Sequence, residues 1–261
     1  MSPGRALVTG AGKRLGRAMA LRLAERGYDV AIHFHASEAE AEATATAARV
    51  HGVTAATCRA DLLDEGETAE LIPTAAAALG GPITVLVNNA SIFEYDTIGS
   101  ATREGWDRHM GSNLRAPFVL IQRMAADVPE PELDLRGEPV AQGLVVNMID
   151  QRMMKPTPGF MTYSISKAGL WWLTRTAAQA LAPRLRVNAI GPGPTLRGTR
   201  QSEAHFARQR QATILQRGAD EAAICGALEY LLSANAVTGQ LLCVDGGQHL
   251  GWRTPDIIGP E

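Results

Sequence analysis

No apolar run in this chain approaches the ~18 consecutive residues of a membrane span. The opening Met1-Ser2-Pro3-Gly4-Arg5 passes directly into Ala6-Leu7-Val8, without the apolar region or small-residue cleavage site of a secretory signal. Cysteine is scarce: Cys58, Cys225 and Cys243 are odd in number, far apart and in no CxxC pairing, so reduced core thiols in a cytoplasmic protein are expected. The six histidines are scattered, with no HExxH or similar cluster, and no metal site is expected. Neither sign of charge is in excess: 25 Lys and Arg stand against 27 Asp and Glu, a net charge of -2. That balance offers no electrostatic reason to expect nucleic acid or an anionic membrane as partner. No internal repeat of fixed period occurs.

What is present is a globular composition, 46% hydrophobic and 20% charged, which excludes disorder as the main state. A chain of 261 residues is long enough to bury one large core. Short apolar runs at 6–9, 29–34, 55–59, 84–88, 143–148, 186–190 and 240–244 alternate with helical stretches near 15–26, 38–50, 65–79, 103–110, 113–127, 161–182 and 219–233. Most runs are apolar at consecutive positions, as in strands covered on both faces. The alternation predicts an α/β fold: one Rossmann-type, doubly wound domain over 1–261, with a seven-stranded parallel sheet flanked by helices on both faces. Prolines and acids at 128–140 suggest an exposed excursion, and the Arg-rich segment around 193–212 suggests a mobile substrate loop.

Two motifs carry chemistry. The first strand ends in Thr9-Gly10-Ala11-Gly12-Lys13-Arg14-Leu15-Gly16 and leads into an amphipathic helix. Glycines allow a tight turn and close backbone approach, and a helix N-terminus offers free N–H groups and partial positive charge to a pyrophosphate. Gly-Lys-Ser/Thr is absent, which excludes a P-loop. The second strand ends in His33-Phe34-His35-Ala36-Ser37, without the acid that would select the 2′-hydroxyl of NAD. Lys13, Arg14, His35 and Ser37 stand ready for a 2′-phosphate, so NADPH/NADP+ is the expected cofactor. The other motif is Tyr163-Ser164-Ile165-Ser166-Lys167, with Tyr and Lys four apart on one helix face. An ammonium near a phenol favours phenolate and makes the Tyr a proton donor near neutral pH; the plain alternative is a core Tyr with a snorkelling Lys.

Taken in order, the elements resemble the short-chain dehydrogenase/reductase family across nearly the whole chain. They are Thr9-Gly10 to Gly16, Asp61-Leu62, Asn88-Asn89-Ala90, Asn113, Tyr163 with Lys167, Arg186-Val187-Asn188-Ala189-Ile190 leading to Pro192-Gly193, and Val244-Asp245-Gly246-Gly247. The resemblance implies that Gly10, Lys13, Arg14, Leu15 and Gly16 border the cofactor phosphates. It places Asp61 and Leu62 at the adenine, and Asn89, Ala90 and Ser91 along the cofactor. Pro192 and Gly193 would flank the nicotinamide. Tyr163 would donate the proton, Lys167 would hold the nicotinamide ribose, and Asn113 would position a relay water. A homotetramer acting on a small molecule is implied too, with the long helices and the tail Gln248 to Trp252 as contact surfaces.

Two departures narrow the resemblance. Arg14 replaces the middle glycine of the loop, and Asp150, thirteen residues before Tyr163, replaces the usual catalytic Ser. Together with Asn89-Ala90-Ser91-Ile92-Phe93 they resemble the pteridine reductase branch, in which Phe93 would stack on a pterin and Arg14, Ser91, Asp150 and Tyr163 would line the substrate. An Arg common after the second His is Ala36 here, which implies a looser grip on the 2′-phosphate. An ionised Asp150 would oppose phenolate formation and could relay protons to ring nitrogens; alternatively it pairs with Arg152 or Arg14 and caps a loop. Phe93 either stacks on substrate or covers the core. A general carbonyl reductase and a non-catalytic NADP(H)-binding sensor are the competing functions.

Overall fold

The computed structural model describes residues 3–198 and 201–252. The chain begins with β1 (Arg5–Val8), α1 (Arg14–Glu25), β2 (Asp29–Phe34), α2 (Glu38–Arg49), β3 (Ala55–Arg59), α3 (Glu65–Leu79) and β4 (Val85–Asn88). It continues through α4 (Arg103–Met110), α5 (Ala116–Asp127), the short strands β5 (Glu132–Leu133) and β6 (Pro139–Val140), β7 (Gly143–Met148) and α6 (Met161–Leu181). It closes with β8 (Leu185–Pro192), α7 (Glu203–Gln211), α8 (Glu221–Ser233) and β9 (Leu241–Val244). Seven strands form one sheet in the order β3-β2-β1-β4-β7-β8-β9, and every pairing in it is parallel. This is the expected doubly wound architecture.

Consecutive apolar residues in the strands serve two cores. Ala6 and Val8 of β1, Val85 and Val87 of β4, and Leu144 and Val146 of β7 face one layer, shared with Met19, Leu23 and Leu228. The intervening Leu7, Leu86 and Val145 face the other, with Leu71, Leu120 and Ala177. Period-two alternation of side chains, buried on both faces, explains why the sequence reads as continuous apolar runs. Chain order reverses between β1 and β4, which opens a crevice at the carboxyl ends of the strands where ligands bind in such sheets.

Three segments differ from expectation. The two helices expected at 103–127 run together through a π-helical turn, Gly111–Arg115, which carries Asn113; such turns are frequent at functional sites. The 128–140 excursion folds back as an antiparallel pair, Glu132 opposite Val140. The segment expected as a loop at 193–212 contains α7, N-capped by Ser202 accepting from the His205 N–H at 3.2 Å. Since α7 buries none of its residues, it carries no apolar periodicity to read.

Candidate active site

The glycine-rich turn is held from both sides. Thr9 Oγ1 accepts from the N–H groups of Asn89 and Ala90, both at 2.9 Å, and Asn89 Nδ2 donates to Thr9 O at 2.8 Å. His33, buried in β2, accepts from the Gly10 N–H through Nδ1 at 3.0 Å and meets Ala60 O through Nε2 at 3.1 Å. These bonds require a neutral imidazole protonated on Nε2, and burial pushes its pKa down to about 4. His33 is thus a strut for the turn.

The turn is close-packed at its glycines. A Cβ on Gly16 would lie 2.3 Å from Gly10 O, and one on Gly10 would lie 3.2 Å from Ala90 Cα. At Gly193, beside Pro192 at the end of β8, it would lie 2.5 Å from Asp245 Cβ. No side chain caps α1 at Lys13, whereas Asp64, Thr102, Ser202 and Asp220 cap α3, α4, α7 and α8. The N–H groups of α1 therefore face the crevice without a side-chain acceptor from the cap residue, a setting suited to phosphate. Leu15 packs against the core beneath.

At the end of β2, Lys13 pairs with Glu40 at 2.6 Å, His35 Nε2 lies 3.8 Å from Asp61 Oδ2, and a Cβ on Gly12 would come within 3.2 Å of Ser37 Oγ. Lys13, His35, Ser37 and Asp61 thus gather at one edge of the crevice, with Leu62 packed on the core behind them. Arg14 does not join them. Its guanidinium donates to Arg197 O at 3.1 Å and Leu196 O at 3.3 Å, spanning the cleft from the glycine turn to the segment after β8.

Tyr163, Lys167 and Asp150 converge as expected. The Tyr163 hydroxyl donates to Asp150 Oδ2 at 3.1 Å. Arg152 holds the same carboxylate through its main-chain N–H at 2.8 Å and Nη1 at 3.0 Å. Asp150 therefore caps a short turn, and its carboxylate also faces the Tyr163 hydroxyl. Burial first, then the Asp150 charge and hydrogen bond, raise the Tyr163 pKa well above its ordinary value. The phenolate-promoting effect expected of Lys167 does not prevail. Lys167 is 2% exposed and donates to Met148 O at 2.7 Å, and burial lowers its pKa to about 8 against the opposing pull of Asp150.

Asn113 is fully engaged by protein. Its Oδ1 accepts from the Ile92 N–H at 2.8 Å and Ser91 Oγ at 3.2 Å, and its Nδ2 donates to Ile92 O at 2.9 Å and Ser166 Oγ at 3.2 Å. Its side chain fixes the loop that carries Ser91 and Phe93. Phe93 does not cover the core; it is 47% exposed and lines a cleft of about 620 Å³ with Arg14, Asp150, Arg152, Tyr163 and Gly193. Its ring stacks on Phe160, with centroids 4.3 Å apart and planes at 6°, and meets Tyr163 edgewise at 4.7 Å. Phe160, Tyr95 and the α7 residues His205 and Phe206 also line this cleft, and the sequence reading did not single them out.

A glycine turn under a helix N-terminus, beside a cleft lined by a Tyr with a buried Lys near its ring, defines a dinucleotide-dependent oxidoreductase. A family model described as enoyl-(acyl carrier protein) reductase matches residues 10–249. The chain belongs to the short-chain dehydrogenase/reductase family. It is 31% identical, over 94% of its length and 98% of the relative's, to the 3-oxoacyl-[acyl-carrier-protein] reductase FabG of Staphylococcus epidermidis. Among solved structures it is similar to the FolM alternative dihydrofolate reductase 1 from Brucella canis complexed with NADP, at 44% identity, TM-score 0.89 and 97% of each chain. It is also similar to the landomycin C-6 ketoreductase LanV with bound NADP and rabelomycin, at 28% identity, TM-score 0.83, 96% of this chain and 98% of that one. Among the described residues no helix is long and apolar enough to cross a membrane, and no group of acids, His and Cys could hold a metal.

Proposed function

We propose that the chain is an NADPH-dependent reductase of a pterin-type substrate, a dihydropterin or a dihydrofolate. One observation carries the substrate half of this reading: the group bonded to the Tyr163 hydroxyl is a carboxylate, Asp150, and not a hydroxyl. In a ketone reductase a second hydroxyl joins the Tyr in polarising the carbonyl oxygen, and an ionised carboxylate cannot donate in its place. A ring C=N bond needs a proton delivered to nitrogen, and a phenol kept protonated beside a carboxylate can deliver it.

The glycine turn and the α1 N-terminus would hold the cofactor phosphates, with Lys13, His35 and Ser37 toward the adenosine end. NADPH, when bound, supplies the hydride. At the ring nitrogen the Tyr163 O–H bond breaks as an N–H bond forms, and the phenolate left behind needs a proton in return. Asp150 takes a proton from solvent and returns it to Tyr163, while Arg152 keeps the carboxylate oriented. Lys167 would hold the nicotinamide ribose. The open face of Phe93 receives the flat ring, an offset stack contributing about 0.5–1.5 kcal/mol beyond area burial. The similarity to FolM supports this reading.

General carbonyl reduction is the second reading, and the similarity to FabG and LanV favours it. NADPH oxidation measured with dihydropterin, dihydrofolate, a quinone and a 3-oxoacyl ester separates the two. Turnover of the reduced pterins is the expected result; fast ketone reduction without dihydropterin turnover transfers the proposal to the second reading. Self-association into a tetramer belongs to the same proposal. Phe118 on α5, with Ile165 and Trp172 on α6, presents exposed apolar surface for it. Sedimentation of a dilute species at the chain mass of 27.8 kDa contradicts the tetramer.

A further inference from the structure

Two local rules of helix initiation are broken at one residue. Phe160 stands at the N-cap of α6, where Ser, Thr, Asp, Asn or Gly is favoured, and its φ of 57° lies in the left-handed region that bulky residues avoid. It provides no side-chain cap. Asp96 provides one in its place, its carboxylate accepting from the Thr162 N–H at 3.2 Å and from the Thr162 hydroxyl. The Asp96 carbonyl also accepts from the Phe160 N–H at 2.8 Å, which pins the strained backbone. Asn or Gly would suit that backbone better. What Phe supplies at this position is its ring, and local rules fail in this way chiefly where function demands it.

The ring lies flat on Phe93. The Tyr95 ring meets Phe160 at 90° with centroids 5.1 Å apart. The Arg152 guanidinium lies 5.1 Å from the Phe160 centroid and 5.6 Å from that of Phe93. Phe93 itself sits in a stretch, 89–97, with no regular secondary structure to hold it. Phe93 is 47% exposed and lines the cleft, with Phe160 stacked on one face and Tyr163 meeting an edge. We infer that Phe160 is a positioning residue that backs Phe93, so that Phe93 presents one fixed face to a flat conjugated ring. It thereby helps set the preference for planar substrates. This rests on the pterin-type reading of the cleft.

The test is a fluorescence titration of pterin and folic acid into NADP+-loaded protein, with thermal melts of the same samples. Phe160→Asn is expected to weaken ring binding about three- to tenfold, the range of an aromatic pair, with a melting temperature at or above that of wild type. Phe160→Tyr is expected to keep wild-type affinity. In a Phe93→Ala background, Phe160→Asn is expected to have no further effect, because it acts through Phe93. Unchanged affinity in Phe160→Asn overturns the inference, as does an equal loss in both backgrounds, which marks direct contact. Lost binding with a lowered melting temperature, repeated in Phe160→Gly, marks a structural residue and overturns it as well. Wild-type protein that binds neither pterin nor folic acid overturns the pterin reading and the inference with it. Binding that Phe93→Ala weakens and Phe160→Asn leaves intact overturns the inference alone.

Discussion

Tyr163 and Asp150 share one proton-bearing contact of 3.1 Å, and Arg152 Nη1 reaches the same carboxylate oxygen at 3.0 Å. Burial, and then this pairing, set the protonation of the Tyr. A buried phenol facing an ionised carboxylate is held as the phenol, and the guanidinium only partly offsets that effect.

Tyr163→Phe removes the proton donor and leaves the glycine turn intact. Turnover is expected to fall by ~10²–10⁴-fold, the usual worth of a positioned acid, with NADPH affinity nearly unchanged. Stopped-flow turnover and a fluorescence titration of NADPH check the two halves separately.

The alkaline side of the pH profile is assigned to Lys167. Because Tyr163 titrates well above its ordinary range and Lys167 at about 8, kcat/KM is expected to decline above pH about 8 as the ammonium is lost. The Asp150 charge opposes that loss, so Asp150→Asn is expected to move the decline to lower pH. A decline that stays in place in Asp150→Asn removes the assignment.

His33 makes stability acid-sensitive. Its pKa is about 4 folded against 6.5 for the free side chain, so the unfolded chain binds more protons between those values. The stability from the neutral strut is fully present above pH 6.5 and is lost as pH falls toward 4, by up to about 3 kcal/mol. Urea titrations over this range are expected to show the slope in wild type. His33→Gln, which can keep a bond to Gly10 without titrating, is expected to reduce it.

Ser37→Asp places an acid at the end of β2, beside Lys13 and His35. It is expected to weaken NADPH by at least tenfold and leave NADH nearly unchanged, because a carboxylate repels a 2′-phosphate and accepts from a 2′-hydroxyl. Isothermal titration with both nucleotides reads the ratio directly.

Much of this was legible in the residues. Strands buried on both faces advertise themselves, so the positions of β1, β2 and β7 followed from Leu7, Ile32 and Val145 and their neighbours. The glycine turn and the spacing of Asp150, Tyr163 and Lys167 located the cleft. Contacts between distant segments were not legible. Nothing local announces that His33 holds Gly10, that Asn113 spends its amide on Ile92, or that Arg14 reaches Leu196 across 182 positions. Phe160 was hidden for the opposite reason: its backbone contradicts its residue type, and only tertiary contacts with Asp96 and Phe93 explain it. The surface helix α7 lacks a buried stripe and so lacks a signal.

On the proposed mechanism the carboxylate of Asp150 serves proton delivery to a ring nitrogen through Tyr163. Asp150→Ser tests it most directly, because it installs the residue usual in carbonyl reductases and keeps a hydrogen-bonding group at the Tyr. The measurement is kcat for dihydropterin with saturating NADPH, alongside a 3-oxoacyl ester, in wild type and Asp150→Ser. Dihydropterin turnover is expected to fall by ~10²-fold or more, as for a lost acid or base, while ketone reduction stays level or rises. Dihydropterin turnover at the wild-type rate in Asp150→Ser would contradict it.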